Sequence, residues 1–231
     1  MDDILDGLRE ALNLLLGGDP SVWQIILLSL QVSGLALLFG TLIGLPLGTL
    51  LGLSIFPGRK IIVTLIYTGM GFPPVVIGLL VYLLLSRSGP LGFLGWLFTP
   101  TAMIVAQTII SLPLIAGFTM AAVSSIDPAL RLQIRSLGAT PWQTARATLW
   151  EARNGVIVAI IAGFGRIIAE VGAVMLVGGN IDGSTRVLTT AIVLETRRGA
   201  FDLALALSFV LIGMALLINA ATLYLQGRIS A

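Results

Sequence analysis

Between Asp19 and Arg59 the chain carries no charged side chain. A run of that length settles the solvent before it settles the fold. About 20 apolar residues in a helix cross the hydrocarbon of a bilayer. One long span is therefore predicted here, roughly Trp23 to Ile55, with Pro46 placed to kink it. The pattern recurs along the chain. Residues 61–86 form a second span, interrupted by Gly71-Phe72-Pro73-Pro74, and residues 100–123 form a third with Pro113 inside it. Residues 154–179 form a fourth, which carries Arg166 and Glu170, and residues 203–226 form a fifth. Arg87 to Pro100 reads as a Gly/Pro-rich loop and residues 180–202 as a polar loop. The expected fold is an all-α membrane protein of about five transmembrane helices.

The segment 124–153 breaks the pattern. A protein that only had to span the bilayer would place a short turn there. Instead the chain runs Ile126-Asp127-Pro128-Ala129-Leu130-Arg131 and then Arg135-Ser136-Leu137-Gly138-Ala139-Thr140-Pro141, two helix-length pieces joined at a glycine. The shape suits a lever that a partner protein can grip. The expected division is an N-terminal interfacial helix over residues 1–20, a transmembrane domain over 21–227 with this loop inside it, and a tail over 228–231. In the first segment Leu5, Leu8, Leu12 and Leu15 share one helical face, opposite Asp6, Arg9 and Glu10. Such a helix either lies on the membrane surface or packs on its own bundle. Met1-Asp2-Asp3 is acidic where a secretory signal would be basic, so no cleaved signal is expected.

Composition narrows the chemistry. Hydrophobic residues make up 57% of the chain and charged residues 10%. A net charge of +2 gives no basic surface for nucleic acid. Cysteine and histidine are both absent, which removes disulfides, thiolate metal sites, cysteine nucleophiles and imidazole acid–base catalysis. A phosphate-binding loop needs Gly-Lys followed by Ser or Thr, and the sole lysine stands in Gly58-Arg59-Lys60-Ile61. ATP hydrolysis by this chain is therefore not expected.

Charge also suggests an orientation. Five spans put the termini on opposite sides. With the N-terminus outside, the inner segments hold Arg59, Lys60, Arg131, Arg135, Arg146, Arg153 and Arg228, against Arg9, Arg87, Arg186, Arg197 and Arg198 outside. The short loop Arg59-Lys60 and the basic 124–153 segment then face the cytoplasm, as the positive-inside rule prefers.

Three further patterns carry competing readings. Gly40, Gly44, Gly48 and Gly52 line one face of the first span, for close packing within one subunit or for a subunit seam. Arg166 and Glu170 sit four apart, where opposite charges on a helix partly neutralise each other. They read as a structural ion pair or as the polar lining of an anion pathway. Phe72-Pro73-Pro74 and Gly178-Gly179-Asn180-Ile181-Asp182-Gly183 read as a broken helix and a turn, or as parts of that pathway.

The 128–153 segment resembles the cytoplasmic loop of ABC importer permeases. Its Gly138 falls on the family's glycine, and the preceding Glu-Ala-Ala positions fall on Leu132-Gln133-Ile134. Thr148-Leu149-Trp150 stands where a hydrophobic-x-Leu-Pro would end. The strings from Phe164-Gly165-Arg166 through Glu170-Val171-Gly172 to Gly178-Gly179-Asn180-Ile181 are similar to the oxyanion branch of that family, the sulfate, molybdate and tungstate permeases. Tyr67 to Pro74, Leu85 to Gly92, Thr185 to Thr196 and Phe201 to Ala206 look most like the tungstate type. The resemblance runs from about Trp23 to Asn219.

That resemblance implies a non-catalytic subunit in the prokaryotic inner membrane, paired as a homodimer within the lipid. It implies two cytoplasmic ATPase subunits that bind ATP and Mg, and an extracytoplasmic oxyanion-binding protein. Coupling to the ATPase would fall to Leu132, Gln133, Ile134, Arg135, Gly138, Ala139 and Pro141. The pathway would involve Phe72, Pro73, Pro74, Arg166, Glu170, Gly172 and Asn180. Two other classes compete. One is an ion-gradient transporter with Glu170 as proton carrier, but no inverted repeat is found. The other is an intramembrane enzyme, for which no Ser–Lys or paired-Asp arrangement sits in the spans.

Overall fold

The computed structural model describes residues 20–230, together with Asn13 and Gly17. The interfacial helix expected near the N-terminus lies outside the described residues. The described elements are helical. Helix α1 runs Pro20–Leu53, α2 Arg59–Met70 and α3 Pro74–Leu85, followed by a 3-10 turn at Gly92–Leu94. Then come α4 Pro100–Ser124, α5 Pro128–Ser136, α6 Pro141–Glu151 and α7 Arg153–Ile168. The chain continues with α8 Gly172–Gly178, α9 Leu188–Arg198 and α10 Phe201–Ser230.

Proline sets several of these boundaries. Pro20, Pro74, Pro100, Pro128 and Pro141 each stand at the first position of a helix, where the missing N–H costs nothing and the fixed φ is already helical. Pro46 and Pro113 lie inside α1 and α4. Helices α1, α4 and α10 are each long and apolar enough to cross a bilayer. The pairs α2 with α3 and α7 with α8 qualify only together, each bent at a short break, so the crossings number between three and five. The polar loop expected over 180–202 is corrected in part: α9 occupies its middle, Leu188–Arg198. Its Leu188 and Ala191 are buried against Val22 and Ile26 of α1 and Ala206, Leu207 and Val210 of α10. The signals for its C-terminus were present, since Arg197 and Arg198 fill the last turn and Gly199 follows at φ 79°.

The described chain divides into two compact units. One comprises residues up to Ala36, Pro73–Gln107 and Ile167–Ala221; the other comprises Leu37–Phe72, Thr108–Arg166 and the residues from Thr222. The core of the first is the cluster around Leu188 and Leu207 just described. The core of the second joins Leu51, Ile66, Ala116 and Met120. Many large apolar side chains remain outside both cores, among them Leu42, Leu65, Leu83, Leu216 and Leu217. Lipid tails solvate such surfaces without penalty.

The glycine stripe of α1 packs within the second unit. A Cβ on Gly44 would lie 3.2 Å from Ile115, one on Gly48 2.8 Å from Thr119 Cβ, and one on Gly52 2.8 Å from Val123. The stripe is therefore the face along which α1 and α4 meet inside one subunit. Gly48→Leu is expected to overpack this contact, a change that costs about 1–3 kcal/mol. It should lower the thermal unfolding temperature of the solubilised protein. Gly34→Leu is the control, because a Cβ there meets nothing within 4 Å. Equal stability of the two variants would refute the packing role of the stripe.

Candidate coupling loop and polar pathway residues

In the second unit, α5 and α6 are built almost entirely from local signals. Asp127 accepts a hydrogen bond from the Ala129 N–H at 2.8 Å and so caps α5. Thr140 and Gln143 form a reciprocal capping box on α6: Gln143 N–H donates to Thr140 Oγ1 at 3.3 Å and Thr140 N–H to Gln143 Oε1 at 2.8 Å. Between the helices Gly138 adopts φ 86°. Its N–H donates to Arg135 O at 3.0 Å, and the Ala139 N–H donates to Ile134 O at 3.3 Å. These two bonds make a Schellman turn with glycine in the left-handed position.

The loop is also tied to the spans. Arg131 Nη2 donates to Val123 O at 2.6 Å, satisfying a carbonyl in the last turn of α4. Arg59 Nε does the same for Leu51 O of α1 at 2.8 Å. Thr144 and Thr148 of α6 are buried. The opposite surface is open. Leu132, Leu137, Trp142 and Trp150 are all exposed, at 67%, 87%, 77% and 69%. Gln133, Arg135, Gly138 and Pro141 are exposed beside them, while Ile134 and Ala139 are half-buried. The residues expected to meet a partner thus share one short helix–turn–helix whose apolar side chains Leu132, Leu137, Trp142 and Trp150 have little cover among the described residues.

The pathway candidates are distributed over both units. In the second, exposed Arg166 points Nη2 at the carbonyl of Phe72, at 3.4 Å. This satisfies a backbone group freed where α2 ends ahead of Pro73 and Pro74. In the first, Glu170 is buried, and its Oε1 accepts from the Ala173 N–H at 2.8 Å, capping α8. The expectation of an Arg166–Glu170 pair on one helical face needs correction. Helix α7 ends at Ile168, so a spacing of four no longer places the two on one helix. Each charge instead serves a broken helix end in its own unit.

Gly172 lies beside Glu170, where a Cβ would meet Val75 Cγ2 of α3 at 2.5 Å. Asn180 has a left-handed φ of 51°, a conformation asparagine tolerates better than most residues. It belongs to a turn organised by Thr185, whose hydroxyl donates to Gly178 O at 2.6 Å and accepts from the Ile181 N–H at 2.9 Å. Asp182 and Arg186 close this turn with an ion pair at 2.9 Å.

Polar residues not anticipated from sequence support the break after α7. Gln107 Nε2 donates to Ile167 O at 3.1 Å, and Thr189 Oγ1 donates to Glu170 O at 3.0 Å. Gln107 was visible as a polar side chain in apolar surroundings, whereas Thr189 lay in a stretch read as a polar loop. A residue such as Gln107 within a span must find a partner for its polar group. The cap suggests a test of what Glu170 does. Glu170→Gln keeps an acceptor oxygen and should leave stability within about 0.5 kcal/mol. Glu170→Ala leaves a buried N–H unsatisfied and should cost about 1–3 kcal/mol. Thermal unfolding of the two variants decides it; equal loss in both would mean the carboxylate charge, not the cap, is what matters.

Comparison with known proteins places this architecture. The family model described as "Binding-protein-dependent transport system inner membrane component" matches residues 44–231. A Haloferax volcanii protein named as a probable anion ABC transporter permease is 44% identical over 202 residues, covering 85% of this chain and 87% of the relative. The tungstate uptake system permease protein of Peptoclostridium acidaminophilum is 39% identical over 226 residues, covering 98% and 99%. A chain from the crystal structure of a bacterial alginate ABC transporter, in complex with its alginate-bound periplasmic protein, superposes with a TM-score of 0.77 at 27% identity, covering 96% of this chain and 87% of that one. The chain belongs to the family of binding-protein-dependent transport system inner membrane components, as an ABC importer permease of the branch that holds the tungstate, molybdate and sulfate permeases.

Proposed function

We propose that this chain is the transmembrane subunit of an ATP-driven importer of tungstate or molybdate. It works as a homodimer that opens alternately to the two faces of the membrane. Two cytoplasmic ATPase subunits bind ATP and Mg, and an extracytoplasmic binding protein delivers the oxyanion. The N-terminus lies outside and the 124–153 loop inside, an orientation supported by Arg59-Lys60 and the arginines of that loop. The observation that carries this reading is the α5–α6 unit. It is capped at each helix start, closed by a left-handed glycine, tied to α4 through Arg131, and apolar on its uncovered side. Apolar residues around a rigid turn fit a groove in a partner, and Leu132 to Pro141 supply the contact.

Phe72, Pro73, Pro74, Arg166, Glu170, Gly172 and Asn180 mark the pathway in this reading, because they stand at helix breaks and turns within the spans. The pathway binds its anion loosely, since a conduit must release what it admits. Tungstate and molybdate match in charge and nearly in size, so discrimination falls to the binding protein.

The test is reconstitution of the permease with its ATPase and binding protein in liposomes. Tungstate or molybdate uptake should require ATP on the ATPase side and should persist when the proton gradient is collapsed. Uptake that ignores ATP and stops with the gradient would overturn the reading in favour of an ion-coupled transporter.

A further inference from the structure

Gln107 is 3% exposed and lies in the N-terminal third of α4. Its amide nitrogen is spent on Ile167 O, the carbonyl freed where α7 stops. Its Oε1 is buried and receives no hydrogen bond from the described residues. A buried amide oxygen left without a donor loses the hydrogen bonds it would make in water. Gln107 lines a small cavity of about 10 Å³, together with Ser29, Ser33, Ile168, Leu188 and Thr189. Three of these are hydroxyl residues, all buried. Ser29 already donates to Ile25 O and accepts from the Leu188 N–H, which leaves its oxygen one further lone pair.

Size and chemistry together identify the occupant. The cavity is about the minimum for one water molecule, roughly 10–15 Å³ on the same scale. A tetrahedral oxyanion is several times larger, and the amide oxygen would repel its negative charge. A water supplies the donor that Oε1 lacks and has at least two further polar neighbours in the serines, within the two to four partners a buried water needs.

We propose that this cavity is a one-water site, and that Gln107 and its water together position the break between α7 and α8. The amide nitrogen holds the last turn of α7 through Ile167. The amide oxygen, through the water, reaches the serines of α1. Thr189 adds a second hold on the break through Glu170 O. Gln107 is thus a positioning residue, acting on Glu170 through the backbone ahead of it.

Two measurements test this on the assembled transporter in lipid nanodiscs. The first is a structure at about 2 Å resolution or better. It should show a density peak within hydrogen-bonding distance of Gln107 Oε1. An empty cavity would overturn the proposal, and so would a peak whose height follows exchange of Na⁺ for a heavier monovalent cation. The second uses Gln107→Met, similar in volume but with neither hydrogen bond. Loss of the hydrogen bond to Ile167 O alone, about 1 kcal/mol, is about fivefold in an equilibrium. Oxyanion-stimulated ATP hydrolysis should therefore fall about fivefold or more, with basal hydrolysis within about twofold of the unmodified protein. Unchanged stimulation would refute the positioning role. This second arm rests on the proposed transport function, whereas the density measurement does not. Failure of the unmodified protein to respond to any oxyanion would therefore count against that function alone. The density measurement also needs no variant to fold.

Discussion

Gly138→Val is expected to strip the ATPase from the purified permease while leaving the permease itself folded in the membrane. Gly138 holds φ 86° between α5 and α6. A residue with a Cβ pays roughly 1–2 kcal/mol to sit there, and a β-branched one pays more. The site is otherwise open, for a Cβ on Gly138 would meet nothing within 4 Å. The whole effect is therefore conformational. It falls on the turn that sets the angle between α5 and α6, not on the packing of the spans. An energy of 1–2 kcal/mol corresponds to roughly 5–30-fold in an equilibrium, and valine should reach the upper end. Gly138→Asn is the discriminating control, because asparagine tolerates the left-handed region. The Asn variant should co-purify with the ATPase nearly as well as the unmodified chain, Ala less, and Val least. Oxyanion-stimulated hydrolysis in proteoliposomes should follow the same order. Full ATPase recovery with the Val variant would mean that the turn merely ends a helix.

The second large effect is expected at Gly78, inside the first unit. A Cβ added there would lie 2.6 Å from Ala173 Cα and 3.2 Å from Ala173 O. Both are backbone atoms, so α3 and α8 touch main chain to main chain, and relief requires one helix to move. Gly78→Ala is expected to cost at least about 1–3 kcal/mol, the usual range for overpacking, and Gly78→Val to abolish recovery of folded protein. Ala173→Gly should not rescue either variant, because the clashing Cα remains when the side chain is removed. Gly172→Ala should be milder, since its closest contact is a side-chain methyl of Val75. The readout is the fraction of monodisperse protein after solubilisation and its unfolding temperature. Rescue of Gly78→Ala by Ala173→Gly would show that the helices meet through side chains instead.

Features decided by residues a few positions apart were legible in the sequence. Apolar length located α1, α4 and α10, and the structure places their ends within a few residues of those expected. Helix α10 runs furthest past its expected end, from residue 226 to Ser230. The α5–α6 loop was equally legible, because Pro128, Gly138, Thr140, Pro141 and Gln143 act on their own neighbours: proline starts a helix, glycine accepts a positive φ, and a capping box closes over three residues. The glycine spacing in α1 announced a close contact. It did not say with what, since the partner helix α4 lies far along the chain.

The rest depended on long-range partners. Helix α9 is too short and too charged to announce itself as a span. It exists as a helix with a buried first turn because α1 and α10 cover its apolar face, and because Ser29 accepts from the Leu188 N–H across 159 positions of sequence. Arg166 and Glu170 looked paired because a continuous helix would align them. The chain breaks after Ile168, where no proline marks the place, and the freed groups are taken up by Gln107 and Thr189. In hydrocarbon, every backbone group released by a break must be met by the protein or by water that the protein holds. Local sequence can propose where a helix would stop, but only the folded neighbours decide whether the stop can be sustained.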